Sequence, residues 1–198
     1  MNDVTHLGFQ DIPMLSNIPN LVYLAPTTKE EYIAMLDWSI EQNEQPVAIK
    51  LPGGAMVSGR PVTKNFGDLN KYEVTQKGSK VALLGLGTFY SLANAVADEM
   101  KSELGIDATV INPYYITGLD EELLESLKAD HSVVVTIEDG ILDGGFGEKI
   151  ARFYGDSDMK VLNYGLKKEF LDRYDVEEVL KDNRLDAEMI AEDVKGLL

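Results

Sequence analysis

The chain has 198 residues, 44% of them hydrophobic and 26% charged, with 34 acidic against 18 basic residues and a net charge of −16. That mixture describes a folded protein with room for one ordinary domain, or one domain and part of another. The acidic balance and the absence of any Lys/Arg cluster argue against nucleic acid as a partner. No apolar run is long enough to span a bilayer and no basic-then-apolar leader opens the chain, so no membrane partner is expected. Without cysteine there is neither disulfide nor thiolate chemistry, which fits a cytoplasmic protein.

In chain order, the first loaded stretch is DVTHLGFQDIPML, residues 3–15. It holds His6, one of two histidines, with Asp3 and Thr5 before it and Gly8 after it. Imidazole titrates near neutral pH, Asp3 and Thr5 would fix its tautomer, and Gly8 would let a ligand approach the backbone. On chemistry alone His6 reads either as an idle residue of a chain end or as an acid–base group.

Leu21-Val22-Tyr23-Leu24-Ala25, closed by Pro26, predicts a buried strand. Thr28-Lys29-Glu30-Glu31 matches a capping box, and the spacing of Tyr32, Met35, Leu36, Ser39 and Ile40 predicts a helix to about Gln42 with those residues on its packed face. A second strand runs from Pro46 to Leu51, ended by Pro52-Gly53-Gly54. Strand, helix, strand implies one parallel βαβ crossover, too little for a domain. Residues 53–79, rich in Gly, Ser, Thr and Lys, read as a linker, with a short strand expected around Tyr72 to Thr75.

From Lys80 the pattern alternates cleanly. Val81–Leu86 is a strand, and Gly87-Thr88 turns into a helix with Leu92, Ala93, Val96 and Met100 on one face, ended at Leu104-Gly105. Ala108–Ile111 is a strand, Asp120-Glu121-Glu122 opens a helix with acids in its first turn, and Ser132–Ile137 is a third strand. Gly144-Gly145-Phe146-Gly147 leads into a helix through Tyr154, Lys160–Asn163 is a fourth strand, and helices follow near 176–182 and 186–197. The stretch 80–198 is therefore an α/β domain of layered type.

Four features of this domain could carry chemistry. Gly85-Leu86-Gly87 lies where a dinucleotide fingerprint would, but Tyr90 replaces its third glycine and no acid closes the next strand, so a tight turn is the better reading. The amides of the 144–147 helix start could hold an anion, yet Glu138, Asp139 and Asp143 stand before it; close packing of helix on sheet is the better reading. Glu138-Asp139, at a strand end, reads as an acid–base or metal pair, or as a solvated one. His131 has no ligand-like neighbour in sequence and reads as a surface or capping residue. No zinc spacing and no G-x-S-x-G elbow occurs.

The segment Asp3-Val4-Thr5-His6-Leu7-Gly8, then Asp11-Ile12-Pro13-Met14-Leu15, Ile18-Pro19-Asn20 and Ala25-Pro26, resembles the late pyrimidine-binding domain of thiamin-diphosphate enzymes of the transketolase superfamily. Within it the likeness is greatest to the 1-deoxy-D-xylulose-5-phosphate synthases, and it continues through VALLGLGT (81–88), the helix start at Leu119–Leu123, VTIEDGILDGGFG (135–147) and VLNYGL (161–166).

The resemblance implies that residues 1–52 are the end of a pyrimidine-binding domain, its last βαβ piece, with 53–79 a linker. Residues 80–198 are then a three-layer αβα domain of transketolase C-terminal type with a mostly parallel sheet. It implies a C-terminal fragment, cut beside the reaction centre and inactive alone, of a homodimeric enzyme that joins pyruvate to glyceraldehyde 3-phosphate with loss of carbon dioxide, toward isoprenoid precursors and thiamin. Thiamin diphosphate and Mg2+ would serve the full enzyme, with none expected on this fragment and no metal ligand within it. Carried over position by position, His6 would bond or exchange protons with substrate and Asp3 would orient it.

Two departures stand out. Leu7 replaces a loop histidine, and Leu51-Pro52-Gly53-Gly54 stands where the synthases read Y-P-R-G, whose arginine meets the substrate phosphate. Glycine cannot replace that guanidinium, and strand alternation is expected to turn Lys50 elsewhere. The alternatives are a transketolase-type enzyme or small subunit with a different acceptor sugar, and a non-catalytic dimerisation module.

Overall fold

A computed structural model of the protein describes residues 7–198, so Asp3 and His6 lie outside the described residues. After a short helix α1 (Asp11–Leu15), strand β1 (Val22–Leu24), helix α2 (Lys29–Glu41) and strand β2 (Val47–Ile49) form the expected crossover, with β1 and β2 parallel and Val22 opposite Val47. Thr28 caps α2 by accepting from the Glu31 amide at 3.3 Å. The Glu31 carboxylate reaches back to the Thr27 amide at 2.7 Å and the Thr27 hydroxyl at 2.9 Å, completing the box one residue further out.

The packed face of α2 differs from the expected one. Glu31 and Met35 are buried, whereas Leu36 and Ile40 of the predicted face are exposed, along with Ile33. The helix carries two apolar stripes, and the capping carboxylate chooses between them: Glu31 also accepts from the Asn112 side chain at 3.3 Å, which turns its stripe inward.

The second sheet has five strands, β3 (Glu73–Gln76), β4 (Lys80–Gly85), β5 (Thr109–Asn112), β6 (His131–Ile141) and β7 (Lys160–Leu166), in the order β3-β5-β4-β6-β7. Only β3 runs antiparallel to its neighbour; the other pairs are parallel. Strand alternation divides the core in two. Val81, Leu83, Val133 and Val135 face helices α3 (Tyr90–Leu104) and α7 (Ala187–Lys195), while Ala82, Leu84 and Val134 face α4 (Glu121–Leu127) and α5 (Phe146–Phe153). A further helix, α6 (Val176–Asp182), lies between β7 and α7 in the chain. This is the expected three-layer αβα arrangement with a mostly parallel sheet. Gly105 ends α3 in the left-handed conformation at φ 65°.

Residues following β5 join the two sheets. The Tyr23 carbonyl accepts from the Ile116 amide at 2.7 Å, the Ala25 amide donates to the Tyr114 carbonyl at 2.7 Å, and Leu24 bridges Tyr115 in antiparallel fashion. Strand β3, inside the 53–79 segment, lies close to its expected place and forms the sheet edge. Ahead of it Tyr72 donates its amide to Asp120 at 3.0 Å and its hydroxyl to the Gly118 carbonyl at 2.9 Å, and Phe66 is buried.

Candidate functional site

Parallel strands present their carboxyl ends on one side, and there loops can approach a ligand. Here the ends of β1 (Ala25, Pro26), β2 (Lys50 to Pro52), β4 (Leu86 to Thr88) and β6 (Asp139) converge on a cavity of about 10 Å³ floored by Ile12. That is room for one water, not for a coenzyme.

The Gly8 turn lies against Lys50, one of the residues that line this cavity. Gly8 has φ +63°, and a Cβ there would lie 2.7 Å from an Asp11 carboxylate oxygen, so the turn requires glycine. Its carbonyl accepts from the Asp11 amide at 3.2 Å and from the Lys50 ammonium at 3.1 Å. One residue on, the Phe9 carbonyl accepts from the Ile141 amide at 2.9 Å, and the Phe9 ring lies 6.0 Å from that of Tyr174. The segment after His6 is thus held by β2 and β6 together.

Lys50 therefore sits in the cleft rather than away from it. Its side chain is only 11% exposed, and its ammonium lies 3.9 Å from Asp139. Alternation does place Lys50 opposite Ile49, but the Gly8 turn and the end of β6 close over that very face of β2. The Tyr23 phenol beneath is pushed up in pKa by burial first, then by the charges of Asp11 and Asp139, so it stays neutral.

The Glu138-Asp139 pair is split between two surroundings. Glu138 is fully buried, and its oxygens accept from the Phe146 amide at 2.8 Å and the Gly147 amide at 2.7 Å. It fills the glycine-rich start of α5 from within, so that helix end is no site for an external anion. Burial pushes its carboxyl up to about 7, against the two amide bonds, which pull it down. Lys149, also partly buried, is pushed down to about 8 by desolvation and donates to the Ile116 and Ser16 carbonyls. Gly147 makes the close helix–sheet contact expected of the motif: a Cβ there would lie 2.5 Å from the Thr136 hydroxyl.

The turn at residues 85–87 is structural as well, since a Cβ on Gly85 would lie 2.6 Å from the Tyr90 Cα. His131 is not a surface residue. Its side chain is buried, with Nε2 2.8 Å from the Thr109 hydroxyl and Nδ1 2.6 Å from Asp130 and 3.2 Å from the Leu127 carbonyl at the end of α4. Among the described residues no group of three or more His, Cys, Asp or Glu is placed to hold a metal, and no helix is long and apolar enough to cross a membrane.

Residues 70–190 match the family described as transketolase, C-terminal domain. Over 196 residues the chain is 33% identical to 1-deoxy-D-xylulose-5-phosphate synthase of Clostridium tetani and 34% identical to that of Clostridium beijerinckii, covering 98% of this chain and 31% of each relative. It is 34% identical over 198 residues to the synthase of Crocosphaera subtropica, with the same coverage. The chain thus spans about a third of the length of these relatives. A solved structure described as a split gene transketolase, inactive beta4 tetramer, shares the fold, with a TM-score of 0.79 at 23% identity over 98% of this chain and 63% of that one.

Proposed function

Because the chain belongs to the family of transketolase C-terminal domains, we propose that it is the C-terminal portion of a thiamin-diphosphate-dependent transferase of the 1-deoxy-D-xylulose-5-phosphate synthase type. Such an enzyme ligates pyruvate to glyceraldehyde 3-phosphate with loss of carbon dioxide. The observation that carries this reading is that the likeness to the synthases covers 98% of the chain, including the N-terminal βαβ piece and the cleft beside it.

The described residues do not fit the coenzyme: the strand-end cavity admits one water and no metal cluster adjoins it. Thiamin diphosphate and Mg2+ belong, in this reading, to parts of the enzyme beyond these residues. What this chain contributes is the His6 segment, with His6 exchanging a proton or bonding with substrate and Asp3 orienting it. The enzyme is cytoplasmic and acts as a homodimer to which residues 80–198 contribute, with residues 1–52 finishing the pyrimidine-binding domain and 53–79 linking the two.

One observation favours a second reading, a transketolase-type enzyme with another acceptor. Gly53 occupies the position of the phosphate-binding arginine, and a Cβ there would meet nothing within 4 Å. Assay of the complete enzyme with pyruvate and glyceraldehyde 3-phosphate, against a ketose donor, separates the two: consumption of ketose alone refutes the synthase reading. In the active enzyme, His6→Ala is expected to lower turnover by about 10²- to 10⁴-fold without changing the circular dichroism spectrum. Unchanged turnover would remove His6 from the mechanism.

A further inference from the structure

We propose that the Lys50–Asp139 pair is a positioning device. Through it, the five-stranded sheet fixes the Gly8 turn, which follows His6 by two residues in the sequence. The role deepens the functional reading above and rests on it for its consequence in catalysis, but not for its geometry.

Three observations carry it. Lys50 is almost buried, so its ammonium needs partners, and those among the described residues are the Gly8 carbonyl at 3.1 Å and Asp139 at 3.9 Å. Asp139 comes from β6, in the core of the domain that matches the family, whereas Lys50 follows β2 and Gly8 precedes α1. The same turn is pinned a second time to β6 by the Ile141 amide on the Phe9 carbonyl at 2.9 Å.

The arrangement is therefore a relay. The β6 carboxylate places the ammonium, and the ammonium places a carbonyl two residues after His6. A side chain that merely filled space would not need its charge at this spot. Arginine could keep both contacts; methionine, of similar length, could keep neither.

The test uses the chain itself, without substrate. It combines amide hydrogen exchange with NMR of the two histidine rings, in Lys50→Met, Lys50→Arg and Asp139→Asn. Lys50→Met is expected to speed exchange of the Ile141 amide about tenfold, as loss of one charge-assisted hydrogen bond permits. It should also move the His6 ring signal while leaving that of buried His131 in place. Lys50→Arg should restore both, and Asp139→Asn should show the same changes at smaller size.

An unchanged Ile141 exchange rate and His6 signal in Lys50→Met would overturn the proposal. So would equal movement of the His6 and His131 signals, which marks general loosening. If Lys50→Met does not fold, Asp139→Asn decides alone by the same two readouts. An enzyme inactive in its unaltered form would refute the functional reading and leave these measurements as they are.

Discussion

Glu138 offers the sharpest check on the physics of the domain. In the folded protein its carboxyl is raised from 4.5 to about 7, with burial the dominant cause. A folded-state pKa above the unfolded one means that the native state holds the proton more tightly. The associated stability is fully present below pH 4.5 and is lost as pH rises through 7. The rise from 4.5 to about 7 corresponds to about 3 kcal/mol in all, of which about 2 kcal/mol falls between pH 5.5 and 8.

Glu138→Gln removes the titration while keeping the size. Glutamine has one acceptor oxygen for two helix amides, so it adds a pH-independent cost of about 1–3 kcal/mol. Urea unfolding of both proteins at pH 5.5 and 8 should therefore show the variant more destabilised at pH 5.5 than at pH 8, by about 2 kcal/mol. Glu31, also raised by burial, changes stability in the same direction but is common to both proteins and cancels in the difference. Lys149 is displaced the opposite way and acts mainly above pH 8. Losing the Glu138 charge lowers Lys149 further, which adds to the effect with the same sign. A destabilisation equal at the two pH values would refute the assignment of a buried, shifted carboxylate.

Two further substitutions test the packing around the same helix and its neighbour. Gly147→Ala places a methyl 2.5 Å from the Thr136 hydroxyl and 2.8 Å from Asn163, two side chains already bonded to each other at 2.8 Å, and should cost about 1–3 kcal/mol in urea unfolding. A neutral result would mean that α5 can slide on the sheet. Asp120→Ala removes the cap of α4 and the acceptor of the Tyr72 amide together, an expected loss of about 2–3 kcal/mol; Asp120→Asn should recover most of it, and a loss below about 0.5 kcal/mol in the alanine variant would contradict the double role.

What was legible in the sequence was what depends on near neighbours. Thr28 and Glu31 declared the start of α2 because both partners of the cap lie within one turn. Leu104-Gly105 declared the end of α3 for the same reason. The α2 face was not legible, because two apolar stripes compete and Asn112, 81 residues away, helps to decide between them. The burial of His131 was hidden likewise, since Thr109 of β5 reaches it from the far side of β4, 22 residues away in the chain. In the candidate site Gly8 was read only as letting a ligand approach the backbone, and the inward placement of Lys50 depends on Gly8 and Asp139, both distant in the chain and without local signal.

The acidic run before α5 shows how one strand serves both parts of the molecule. Read as a line of charges, Glu138, Asp139 and Asp143 should repel any anion from the helix start. In the fold the Glu138 carboxyl itself occupies that start, and β6 runs on to Ile141, past the point where two adjacent acids would be expected to end a strand. Glu138 and Asp139 part ways where the pairing of β6 with β7 becomes irregular: Glu138 turns to the α5 amides, and Asp139 lies 3.9 Å from the Lys50 ammonium. The docking of α5 and the charge at the strand ends are therefore set by the same two positions. A substitution that frees Glu138 from the helix amides should disturb the Lys50 contact although it touches neither Lys50 nor Gly8.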